Sequence, residues 1–192
     1  MKRLIFIFVL IIFCLPKADA CVGRVLYVGA INSNEGQLLS EILATIINER
    51  TGTTVQTRLY NNSNELYEAV ISKKVDILIE NTSRAAQLLN KPADSDIKKT
   101  YDVVKSAYET EKGLIWLKPF GFLNGNNEED RSYTAPVLRV EVINTFPALP
   151  RVIGKLAGVI NDEIYVKLIK LVDSGGKPKK TARDFLKSNK LI

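Results

Sequence analysis

Two short clusters of hydrogen-bonding side chains stand out in a chain that contains no histidine: Asn32, Ser33 and Asn34, and later Asn81, Thr82, Ser83 and Arg84. Amides and hydroxyls donate and accept, and a guanidinium donates in a fixed fork, so such groups suit recognition of a small polar or charged solute. They do not suit catalysis. Without histidine, Ser-His-Asp and Cys-His arrangements and histidine metal sites are excluded, and the acidic residues show no pairing for acid/base work. Gly175-Gly176-Lys177 lacks the upstream glycine and following Ser/Thr of a phosphate loop. Glu128-Glu129-Asp130 lacks a spaced set of oxygen ligands and reads as a solvated loop. No cofactor or metal is therefore expected. Each polar cluster also has a plainer reading. Asn32, Ser33 and Asn34 are what a helix N-cap needs. Thr82 and Ser83 can open a helix whose amides, with Arg84, receive an anion; in the plainer version the arginine simply faces solvent.

The elements that must hold these clusters alternate. Residues 24–30 form a near-continuous apolar run, as in a strand buried on both faces. Leu38, Ile42 and Ile46, with Leu39, Leu43 and Ile47, then repeat at helical spacing, with Asn34 or Ser33 as cap and Gly52 beyond the end. Residues 54–59 predict a second strand. Asn62-Ser63-Asn64-Glu65 reads as a capping box opening a helix to Lys74, and residues 75–79 predict a third strand. Right-handed crossovers make this a parallel sheet, whose ligands gather at the carboxyl ends of the strands. The loops 30–35 and 80–84 are thereby the candidate site.

A helix over 96–112, with Ile97, Tyr101, Val104 and Tyr108 on one face, leads into a strand over 113–120. Beyond Pro136 three helical segments are predicted. Their apolar sets are Leu149, Val152, Ile153 and Leu156, then Tyr165, Leu168, Ile169 and Val172, then Ala182, Phe185 and Leu186. Residues 124–132, rich in Asn and acidic residues, are the one linker-like stretch.

At the amino end, Lys2-Arg3, an apolar run from Leu4 to Leu15, Pro16 and Ala18-Asp19-Ala20 have the order of an export signal, so residues 1–20 are expected to be removed. The formal charge is +6; residues 1–20 carry a net +2, which leaves a modest +4. The basic residues are scattered except around Lys177-Pro178-Lys179-Lys180, which argues against nucleic-acid binding. Of the two cysteines Cys14 lies in the signal, so Cys21 has no intramolecular partner. As the first residue after the cleavage site Cys21 is a candidate for lipid anchoring, although Ala18 stands where lipoprotein signals place a large aliphatic residue.

A family resemblance rests on particular residues. Val28-Gly29 with Asn32 and Glu35, Glu41-Ile42-Leu43-Ala44, and Val75-Asp76-Ile77 with Glu80 and Thr82 resemble the first lobe of glycine betaine/choline/carnitine-binding proteins of ABC importers. Trp116-Leu117-Lys118-Pro119-Phe120-Gly121-Phe122, Ala135-Pro136-Val137, Leu156-Ala157-Gly158 and Ala182-Arg183-Asp184-Phe185-Leu186 follow in that family's order. The resemblance implies an α/β fold: a single lobe of the type II periplasmic-binding-protein kind, with a parallel-rich sheet flanked by helices and C-terminal helices packed back on it. Residues 21–192 are then one domain, and the family's second lobe is absent between about 123 and 132.

It also implies an exported, periplasmic or extracytoplasmic solute-binding protein with an ABC permease as partner. Two positions depart from the pattern. The family usually carries lysine where this chain has Ile31 and an aromatic residue where it has Asn81; Thr82 is kept. A quaternary ammonium is held by aromatic faces at roughly 0.5 to 2 kcal/mol per ring, so a missing ring and a missing lobe weaken that cage. Tyr133, with Tyr60, is the candidate replacement wall. Two functions stay open: solute binding with an altered ligand, the cleft being closed by a second copy in a homodimer, or a degenerate relative that serves as a protein-interaction module.

Overall fold

Strand and helix alternate as the periodicities predict, in a computed structural model that describes residues 23–91, 94, 96–123 and 132–192. Strand β1 (Leu26–Ile31) leads into α1 (Asn34–Thr51), β2 (Val55–Tyr60), α2 (Ser63–Ile71) and β3 (Ile77–Asn81). Helix α3 (Thr82–Leu88) and α4 (Ile97–Ala107) follow, the latter ending in a π-helical turn, Tyr108–Lys112. Then come β4 (Leu114–Trp116), β5 (Gly121–Leu123), β6 (Ser132–Arg139), α5 (Val140–Thr145), α6 (Leu149–Gly154), a 3-10 turn (Leu156–Gly158), α7 (Asp162–Asp173) and α8 (Pro178–Ser188).

The six strands form one mixed sheet in the order β2-β1-β3-β6-β4, with β5 also on β6. Strands β2, β1 and β3 are parallel, whereas β6 returns antiparallel to β3, β4 and β5. Helices cover both faces. Leu26, Val28, Ala30, Ile77 and Ile79 pack with the stripe of α1 and with Leu149, Ile153, Tyr165, Leu168 and Phe185 from the C-terminal helices. Leu78, Ala135 and Val137 pack on the other face with Leu66 and Val70 of α2 and Val104 of α4. All six stripe residues of α1 are fully buried. Gly29 is required where α2 crosses β1, because a Cβ there would lie 2.8 Å from Leu66 and Val75 side-chain carbons.

Boundaries shift in informative places. Helix α2 ends at Ile71, not Lys74; Lys73, at φ 59, turns the chain in the left-handed region before β3. The strand expected over 113–120 ends at Trp116 as β4, and β5 begins only at Gly121, past Lys118-Pro119. Pro136, around which no strand is predicted, lies inside β6, opposite Ile79. Its missing N–H costs one ladder bond, while its carbonyl still accepts from the Leu117 amide at 3.0 Å. Residues 1–22 and 124–131, which include the export signal, Cys21, the acidic run and the expected site of the missing lobe, lie outside the described residues.

Candidate solute-binding edge

Both polar clusters lie at the carboxyl ends of parallel strands. Asn32 and Ser33 follow β1 directly, and Asn81 ends β3. Antiparallel pairing sets Asn81 against Thr134, so the first residues of β6, Tyr133 included, join the same edge. Tyr60 reaches it from β2 as the partner of Ile31.

The first cluster is exposed and serves as a cap. Ser33 is the N-cap of α1, its Oγ accepting from the Gly36 amide at 3.0 Å. Asn32 Oδ1 accepts from Gln37 Nε2 at 3.0 Å, and Asn34 Nδ2 donates to Asp173 Oδ1 at 2.7 Å, linking α1 to α7. In the second cluster the cap is Asn81, whose Oδ1 accepts from the Arg84 amide at 2.8 Å. Thr82 is buried, and its Oγ1 accepts from the Tyr133 amide at 3.1 Å. Ser83 is half-buried.

Arg84 does not face solvent. Its Nε donates to Glu80 Oε1 at 2.8 Å and its terminal nitrogen to the Ile79 carbonyl at 3.3 Å. The carboxylate wins the guanidinium because Glu80 is fully buried and must be paired. Glu80 also accepts from the Asn81 amide at 2.8 Å, from the Tyr67 hydroxyl, and from Tyr108 at 3.5 Å. Burial pushes its carboxyl above the usual carboxylate range; Arg84 and the Asn81 amide oppose this without cancelling it. A raised folded-state pKa means that stability at this group is present at low pH and is lost as pH rises from about 4.3 through the folded value. Glu80→Gln should remove that contribution. Urea unfolding at pH 5 and pH 8 should show a wild-type-minus-variant stability difference that shrinks with rising pH; a pH-independent difference would contradict it.

A second acid, half-buried, joins the edge from α1. Glu35 accepts from Thr134 Oγ1 at 3.0 Å and from the Tyr165 hydroxyl of α7, and burial, then the Glu35 charge, raises the Tyr165 phenol far above its ordinary value. Tyr133 stacks edge-on against Tyr101 at 5.8 Å, and Tyr101 against Trp116 at the same distance. Trp116 and Tyr108 are core, and Tyr101 is half-buried.

The edge therefore holds all eight predicted residues, but most of their polar groups are already engaged by hydrogen bonds within the lobe. Sequence reasoning did not include Glu35, Glu80, Thr134 and Tyr165 among the site residues. Glu35 and Glu80 do lie within the loops 30–35 and 80–84 that topology marks as the candidate site, whereas Thr134 and Tyr165 carry no local signal. Among the described residues no cluster of His, Cys, Asp or Glu could hold a metal, and no helix is long and apolar enough to cross a membrane. The chemistry on offer is hydrogen bonding and aromatic contact.

Residues 25–128 match the family described as the substrate binding domain of ABC-type glycine betaine transport systems. Among solved structures, the fold is similar to a glycine betaine/carnitine/choline ABC transporter protein (TM-score 0.76, 13% identity, covering 86% of this chain and 99% of that one). It is similar too to apo YehZ from Escherichia coli (TM-score 0.77, 15% identity, 88% and 100%). A choline-binding protein of an ABC transporter in complex with choline is more distant (TM-score 0.53, 11% identity, 86% and 88%). No curated protein matches the chain.

Proposed function

Because the chain belongs to the substrate-binding domain family of ABC-type glycine betaine transport systems, we propose that it is an exported solute-binding protein, reduced to one lobe, that presents a small polar or quaternary ammonium solute to an ABC permease. It is not an enzyme. The observation that supports this reading is the convergence of 31–34, 81–84 and Tyr133 at the carboxyl ends of β1 and β3, where open α/β sheets take ligands. Asn32, Ser33, Asn34, Asn81, Thr82, Ser83, Arg84 and Tyr133 are the proposed contacts.

Affinity should be low. Polar contacts on an open edge compete with water and yield about 0.5 to 1.5 kcal/mol each, and a millimolar Kd needs only about 4 kcal/mol in all. A ligand at ten times such a Kd raises stability by about 1.4 kcal/mol. A thermal-shift panel of betaine, choline, carnitine, amino acids and small anions at tens of millimolar should therefore produce an upward shift with at least one member.

One feature favours a second reading. Asn81, Thr82 and Arg84 are each engaged within the lobe, as expected of a degenerate relative kept as a protein-interaction module. No shift with any solute would select it and sink solute binding. Closure of the edge by a homodimer would appear as solute-dependent dimerisation in sedimentation. Intact mass of the membrane-fraction protein reports whether Cys21 is lipidated.

A further inference from the structure

At the opposite end of the strands from the solute edge, a groove of about 440 Å³ opens between α2, α3 and the start of β4. Val70, Ile71, Leu88, Leu114 and Val140 form its walls. Two of these are large apolar side chains left in water, Ile71 with 79% and Leu88 with 37% of its surface exposed. Isolated apolar residues on a surface are ordinary, but two converging on one concavity mark a binding site.

The charges around it are unequal. Lys73, Lys112 and Arg139 line the groove against one carboxylate, Glu141. Glu141 lies 3.7 Å from the Lys73 ammonium and 4.0 Å from Arg139. Arg139 is buried, donating to Asp76 at 2.6 Å, and Asp76 is shared with Arg24 at 3.5 Å. Lys112 has no ion-pair partner among the described residues. Arg139 Nε is buried beneath the groove floor and has no hydrogen-bond partner among the described residues. An apolar channel with an unpaired ammonium and a surplus of positive charge at its rim complements a ligand with an alkyl chain and a single negative head.

We propose that this groove binds a free medium-chain alkyl carboxylate, its chain against Ile71, Leu88 and Leu114 and its carboxylate at Lys112 beside Arg139. The site is independent of the solute edge and of any solute bound there. Octanoate is the probe, below its micelle concentration, with octanol and octyltrimethylammonium as uncharged and cationic controls. Calorimetry and thermal shift should show saturable octanoate binding that neither control reproduces. Lys112→Glu should weaken it about tenfold or more, and Ile71→Asn, at a position too exposed to endanger the fold, should weaken it as well. Equal responses to all three compounds, or octanoate binding undiminished in both variants, would overturn the proposal. So would sedimentation with anionic lipid vesicles without any response to octanoate, which would assign the groove to a membrane surface.

Discussion

Asp76→Ala should lower folding stability by about 3 to 5 kcal/mol, the cost of leaving a buried charge without its partner. Asp76 is 4% exposed and accepts from the Arg139 guanidinium at 2.6 Å and from the Tyr27 amide at 3.0 Å, with Arg24 at 3.5 Å. Deleting the carboxylate strands Arg139, itself 6% exposed, and orphans the Tyr27 amide near the start of β1. The carboxylate thus ties the start of β3 to β1 and to the end of β6. Replacing Asp76 and Arg139 together by apolar residues of similar size should recover much of the loss, because the penalty lies in the unpaired ion rather than in the missing pair. Urea midpoints at constant m-value measure both. A single-variant loss below 1 kcal/mol would show that water reaches Arg139.

The second large effect is expected at Gly36. Its position in the first turn of α1 makes alanine attractive on propensity alone, worth roughly 0.5 to 1 kcal/mol. The local geometry decides otherwise. A Cβ on Gly36 would lie 2.0 Å from the Ile31 carbonyl oxygen and 3.2 Å from Ala30 Cβ. The obstacle is backbone, so the turn Ile31–Ser33 must move, and overpacking of this kind costs typically 1 to 3 kcal/mol. Gly36→Ala should fall at the upper end of that range and weaken any solute bound at Asn32 and Ser33. Gly154→Ala is the control. Nothing lies within 4 Å of a Cβ built there, so it should be neutral or stabilising; melts of both variants separate space from propensity.

How much of this was legible in the sequence follows from the range of the forces involved. The buried stripe of α1, the Asn62 cap with Glu65 reaching back to the Asn61 amide at 3.2 Å, and the strand runs are set by neighbours within a few residues, and all were readable from spacing. The two candidate loops were placed by topology alone, because carboxyl ends of parallel strands share one edge. Arg84 was not legible as a buried partner: Glu80 lies on a strand and Arg84 on a helix, so helical i, i+4 spacing gives no reason to join them. Glu35 and Tyr165 are 130 residues apart, and nothing local announces their bond. Pro136 misled in the opposite direction, since proline usually marks a strand's edge or end, yet here it sits where β6 has partners on both sides.

The packing of α1 under the last helices governs how such a chain folds. Arg50 is held by the carbonyls of Leu191 at 2.6 Å and Lys190 at 3.2 Å, and α1 shares its core with Ala182, Phe185 and Leu186 of α8. The apolar face of α1, already packed on β1 and β3, thus finds its remaining cover only when α8 is available. Closing so long a loop precedes any reward from burial, which makes folding slow and largely post-synthetic. A chain of this design cannot close the core over α1 before α8 is available to pack on it.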